Sequence, residues 1–152
     1  MARPLIYFLC TGNSCRSQMA EGFARALAGD RFDVASAGIE PSSLHPLAVA
    51  VMREVGIDIS AHTSKGISPA LLQRADTVVT LCGDANDRCP AVPGARLRLH
   101  WDLPDPARAR GTEEERMAVF RSVRDDIARR VRKLTSVPPP DASSTAPQKG
   151  CR

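Results

Sequence analysis

The chain opens on Pro4-Leu5-Ile6-Tyr7-Phe8-Leu9, a continuous apolar run, which is the pattern of a parallel strand buried on both faces. After a short loop, Met19, Phe23 and Leu27 recur at intervals of four, so Arg16 to about Leu27 reads as an amphipathic helix stopped by Gly29 and Asp30. Phe32 to Ala37 fits a second strand closed by Gly38. His45-Pro46 starts another helix with proline at its first position, and Gly56 ends it. Ser68-Pro69 repeats that arrangement ahead of Ala70-Leu71-Leu72. Asp76 to Leu81 reads as the third strand and Ala95 to Leu99 as a fourth. Thr112 and Glu115 form a capping box. Behind it, Met117, Phe120, Val123, Ile127, Val131 and Leu134 are spaced by threes and fours, the stripe of a long helix. Strand alternating with helix from end to end predicts an α/β sandwich with a parallel sheet.

From Val137 the character changes to Pro138-Pro139-Pro140, Ser143-Ser144 and Pro147, with little to bury. Residues 1–136 are therefore read as one folded domain and 137–152 as a disordered Pro/Ser-rich tail. At 152 residues with 43% hydrophobic and 25% charged positions, the composition is that of a small globular domain. Aromatic residues make up 4%, too few for base-stacking platforms, so the formal charge of +4 does not point to nucleic acid. No apolar run is long enough to span a bilayer, and the first residues lack a signal-peptide core. The expectation is a cytoplasmic protein, where thiols stay reduced. The five cysteines are then expected to be catalytic, metal-binding or inert rather than a scaffold of disulfides.

Cys10-Thr11-Gly12-Asn13-Ser14-Cys15-Arg16-Ser17 lies between the first strand and the first helix, the edge where open α/β sheets bind ligands. A loop of small residues can converge its N–H groups on an anion, and the helix that follows adds its positive end. Arg16 supplies a planar fork of donors for a tetrahedral oxyanion, and Asn13 tolerates positive φ. A thiol at the floor of such a ring favours the thiolate, to which the Ser17 hydroxyl can donate. Farther on, Pro104-Asp105-Pro106 clamps one acid in a rigid loop. Attack on an oxyanion needs an acid opposite the nucleophile; Asp105 is the candidate and Asp102 the reserve. These two pieces resemble the low-molecular-weight protein tyrosine phosphatases. That resemblance implies a four-stranded parallel sheet flanked by helices, a flavodoxin-like sandwich, and hydrolysis of phosphomonoesters.

Cys82 ends the third strand and Cys89 follows seven residues on. Zinc sites pair cysteines two to four residues apart, so no metal is expected. Two readings stay open: unrelated buried cysteines, or a thiol relay. If the intervening residues are helical, the two are roughly 10 Å apart along the axis. That exceeds the Cα separation of about 7 Å a disulfide allows, so joining them requires the segment to unwind.

With these cysteines, the run Cys10 to Gly22, Ser36-Ala37-Gly38-Ile39-Glu40, His62-Thr63-Ser64, Val78 to Cys82 and Cys89-Pro90 resembles the thioredoxin-coupled arsenate reductases, built on the phosphatase scaffold. The likeness runs from about Ile6 to Leu134. It implies that Cys10 attacks arsenate held by Thr11, Gly12, Asn13, Ser14, Cys15 and Arg16 while Asp105 protonates the departing oxygen. Cys82 then attacks Cys10, and Cys89 attacks Cys82, leaving a disulfide for thioredoxin, recharged from NADPH through thioredoxin reductase. No bound cofactor is implied, phosphate and sulfate are expected to compete with arsenate, and the chain is expected to act as a monomer. Some relatives hold potassium on residues matching Asn13, Glu21 and Ser36 plus an acid where this chain has Lys65; the expectation is that the Lys65 ammonium replaces the ion. Two alternatives are a phosphatase needing neither Cys82 nor Cys89, and a thiol sensor of arsenic(III) or a soft metal that leaves Arg16 and Asp105 unexplained. Cys15 is read as packing and Cys151 as an incidental thiol of the tail. His45, His62 and His100 are read as isolated, His62 at most supporting the loop near Lys65, and the arginines of the last helix as mostly solvated.

Overall fold

Residues 3–82, 95 and 97–136 are described by the structure, a computed structural model. Strands β1 (Leu5–Cys10), β2 (Asp33–Gly38), β3 (Thr77–Thr80) and β4 (Leu97–His100) form one parallel sheet in the order β2-β1-β3-β4. Helices α1 (Arg16–Ala28), α2 (Pro46–Glu54), α3 (Pro69–Arg74) and α4 (Glu113–Thr135) complete the sandwich, with a 3-10 turn at Pro106–Arg108 before α4. All six residues of β1 are buried, as its unbroken apolar run requires. The chain leaves β1 for β2 on one side and reaches β3 on the other. The strand order therefore reverses at the carboxyl end of β1, the crevice where such sheets bind ligands. Cys10 is the last residue of β1, in register with Gly38.

Helix starts follow their caps. The His45 and Ser68 side chains accept from the N–H groups of Leu47 and Leu71, each ahead of a proline at the first helical position. Thr112 and Glu115 form the reciprocal capping box. Strand ends move by one or two residues: β1 closes on Cys10, β2 opens at Asp33, β4 opens at Leu97, the usual slack in such boundaries. Phe120, Val123, Ile127 and Val131 of α4 are buried.

One expected core position is not in the core. Leu27 is 42% exposed while Met19 and Phe23 are buried. A spacing of four advances a stripe by about 40° per step at 3.6 residues per turn, and by Leu27 it has left the core face, which Ala24 and Ala28 occupy instead. Nor are all the arginines of α4 solvated. Arg124 is buried, and its Nη1 donates to the Val51 carbonyl at 2.9 Å and to Glu54 at 2.8 Å. It thereby satisfies an orphan carbonyl in the last turn of α2. Residues 83–94, with Cys89, and the tail 137–152 lie outside the described residues.

Candidate active site

Between β1 and α1 the chain curls into a cradle. Its carbonyls are anchored outward: Thr11 O accepts from Glu40 N at 2.8 Å, Gly12 O from Ser64 Oγ at 2.7 Å and Ser42 N at 3.1 Å, and Ser14 O from His45 N at 3.1 Å. A trans peptide sets C=O and N–H on opposite sides, so the amide edges that follow face away from those anchors. Asn13 takes the turn at φ 50°. The cradle rests directly on β2, because a β-carbon at Gly38 would stand 2.7 Å from both Asn13 N and Thr11 O. The first turn of α1 carries no acid, which leaves the positive end of the helix to an anion.

A cavity of about 300 Å³ opens above the cradle. Cys10, Thr11, Gly12, Ser14, Cys15 and Arg16 form its floor and wall; Glu40, Ser42, Asp105 and Ala107 form its rim. Among the described residues, no aromatic or long aliphatic side chain lines it. Arg16 is buried, its Nη1 donating to Leu103 O at 3.0 Å and Leu81 O at 3.3 Å. Those carbonyls fix the guanidinium between the end of β3 and the loop carrying Asp105. Asp105 caps the 3-10 turn through Oδ1, which accepts from Ala107 N at 3.1 Å, while Oδ2 faces Arg16 Nη2 at 3.7 Å. Cys10 and Asp105, the nucleophile and acid expected from the sequence, thus line one cavity. Asp102, the reserve, is exposed and does not line it.

Cys10 Sγ lies 2.8 Å from Ser17 Oγ, which in turn accepts from Asn13 Nδ2 at 2.8 Å. Asn13 Nδ2 also reaches Ser36 Oγ at 3.0 Å, and Ser36 donates to Glu21 Oε1 at 2.5 Å. The Lys65 ammonium stands beside this cluster, 3.5 Å from Asn13 Oδ1, 3.9 Å from Glu21 Oε1 and 2.9 Å from the Thr63 carbonyl. Asn13 and Glu21, two of the residues expected from the sequence to match a potassium site, are thus already in contact with a cation of this chain. His62 bonds to Gln18 Oε1 at 3.0 Å through Nδ1. His100 bonds to Thr80 at 2.8 Å, and His45 caps α2 with its ring against Phe120. The histidines are not isolated; each finds a partner that is distant in sequence.

Cys82 follows β3 and is buried, its Sγ 3.0 Å from Thr11 Oγ1. A second thiol therefore touches the cradle of the first. Cys15 occupies the N-cap position of α1 without a side-chain capping bond, and burial pushes its thiol up to about 12, which favours the protonated form near neutral pH. Cys10, Cys15 and Cys82 are all free thiols. Three residues that shape the site escaped the sequence reading. Gln18, Ser64 and Gly38 lie in runs that carry the family resemblance, but no role is read for them: a polar residue inside a helix, a serine in a loop and the end of a strand do not announce what they touch.

A small parallel sheet whose first strand delivers a cysteine into a seven-residue anion cradle defines a known class. The chain belongs to the low molecular weight phosphotyrosine protein phosphatase family, whose sequence profile matches residues 5–142. Within that family it is similar to proteins named arsenate reductase. The one from Halalkalibacterium halodurans is 58% identical over 132 residues, 87% of this chain and 95% of the relative. A solved arsenate reductase in a phosphate-binding state aligns with a TM-score of 0.77 at 40% identity, over 88% of this chain and 97% of that one. The thioredoxin-dependent arsenate reductase of Corynebacterium glutamicum aligns with a TM-score of 0.72 at 29% identity, over 89% of this chain and 61% of that one.

Proposed function

We propose that this chain reduces arsenate to arsenite by a relay of Cys10, Cys82 and Cys89 and is regenerated by thioredoxin. The observation that carries the reading is the contact of Cys82 Sγ with Thr11 Oγ1 at 3.0 Å. Ester hydrolysis needs a cradle, a nucleophile and an acid; it has no use for a second thiol against the cradle wall. The lining agrees: a cavity walled by small polar groups suits a free tetrahedral oxyanion better than an aromatic phosphate ester.

The Cys10 thiolate attacks arsenic, and one arsenate oxygen leaves with a proton from Asp105, giving a thioester of As(V). Arg16 and the cradle amides hold the remaining oxygens. Cys82 then attacks Cys10 Sγ. The sulfur–arsenic bond breaks, its electron pair stays on arsenic as As(III), and a Cys10–Cys82 disulfide forms. Cys89 attacks Cys82 and frees Cys10 by ordinary thiolate exchange. Two thiols have become one disulfide, which balances the two electrons taken up by arsenic. A dithiol protein, thioredoxin in this reading, closes the cycle, with NADPH as the ultimate donor. Phosphate and sulfate, sharing arsenate's tetrahedral shape, compete for the cradle. The relay starts from reduced thiols, which the cytoplasm maintains, and no second subunit is needed to complete it, so a monomer suffices.

Cys82→Ser separates the chemistries. The expected outcome is no arsenite from arsenate and thioredoxin, with any hydrolysis of p-nitrophenyl phosphate retained. Arsenite production undiminished in Cys82→Ser would overturn the relay through Cys82.

A further inference from the structure

Gln18, in the first turn of α1, is fully buried with four polar contacts, and the reaction above makes no use of it. Its surroundings nevertheless fix every hydrogen behind Cys10. The carbonyl oxygens of Asn13 and Thr63, at 3.1 and 2.9 Å, can only accept. The Gln18 nitrogen must therefore face them, and Oε1 must face His62 Nδ1. The same nitrogen lies 3.0 Å from Asn13 Oδ1, as does the backbone N–H of Lys65, which can only donate. Two donors converge there, so that atom is the amide oxygen of Asn13, and Nδ2 carries its hydrogens to Ser17 and Ser36. Ser17 accepts from Asn13, which leaves its own proton free to be directed at Cys10 Sγ, 2.8 Å away.

The geometry assigns Gln18 as the positioning residue of the nucleophile: it holds the Asn13 amide in the orientation that presents Nδ2 to Ser17 and leaves the Ser17 proton available to the Cys10 sulfur, which favours the thiolate. This rests on the reading of Cys10 as nucleophile. Without Gln18, the Lys65 N–H at 3.0 Å and, more distantly, its ammonium at 3.5 Å remain on Oδ1, and the amide loses its closest side-chain restraint against turning over. Turned over, Oδ1 takes the Ser17 proton for itself and withdraws it from sulfur. The charged groups facing the cluster, Arg16 and Asp105 across the cavity and Lys65 and Glu21 behind Asn13, remain in the variants below.

The test is the pH dependence of Cys10 alkylation by iodoacetamide in the reduced full chain without arsenate, read by peptide fragmentation. Gln18→Met moves the alkylation midpoint up by about one pH unit or more, about tenfold less thiolate below it. Ser17→Ala moves it likewise, and the double variant moves no further than Ser17→Ala alone, because both act through one hydrogen bond. An unmoved midpoint in Gln18→Met, or full additivity in the double variant, overturns the assignment. A measurement on the wild type needs no variant to fold. Burial holds His62 below the ordinary histidine range, so nitrogen NMR at pH 7 finds the ring neutral with its proton on Nδ1. A proton on Nε2 overturns the hydrogen-bond directions. With no arsenate present, neither result depends on whether the chain reduces it.

Discussion

Glycine at position 38 is demanded by the cradle rather than by β2. A methyl group there meets the backbone at Asn13 and Thr11 at 2.7 Å, where no flexible side chain can give way. Gly38→Ala is expected to lower kcat/KM for arsenate by about tenfold or more, since small displacements of a binding loop are costly. Steady-state kinetics checks this, and an unchanged value would mean the loop can shift freely. Lys65 gives a second expectation. Its ammonium already stands between Asn13 and Glu21, so exchanging sodium for potassium at constant ionic strength leaves kcat/KM unchanged; a specific rise with potassium would contradict that placement. At this scale the meeting of Cys10, Arg16, Ser17 and Asp105 was legible because one loop and one turn carry them. Gln18 was not, because its meaning lies in Thr63 and His62, 45 and 44 residues away.

Among the elements, α2 is tied to α4 by Glu54, whose carboxylate meets Arg121 at 2.8 Å and Arg124 at 2.8 Å. Hydrogen bonds from Arg121, then Arg124, hold its carboxyl down to about 2, against an ordinary value of 4.5. A folded value below the unfolded one means the contribution is complete above about pH 4.5 and is lost as pH falls toward about 2. Glu54→Gln should therefore flatten the fall of stability across that window, measured by urea unfolding at several pH values. A variant curve parallel to the wild type there would contradict the tie. The elements themselves were readable where a local device marks them: prolines 46 and 69 at helix starts, the Thr112–Glu115 box, the unbroken apolar run of β1. Leu27 misled because a repeat of four imitates a helical stripe for only two or three turns. Arg124 misled because a charged residue on a polar helix face gives no sign that a neighbouring helix end needs it.

For the whole molecule, strand order decides where chemistry can happen. Alternating strands and helices announced a parallel sheet, but nothing local says that β1 lies inside it with β2 and β3 on either side. That placement brings Cys10 to the reversal point and lets β3 deliver Cys82 against Thr11. Phosphatase and reductase share this scaffold, so the account stands on the order in which thiols react. The most direct test is a single turnover of Cys89→Ser with arsenate, followed by disulfide mapping by mass spectrometry. The account predicts one arsenite per chain and a trapped Cys10–Cys82 disulfide, with Cys82–Cys89 in the wild type. Arsenite formed with Cys10 and Cys82 still reduced, or no arsenite alongside brisk phosphate-ester hydrolysis, would contradict it.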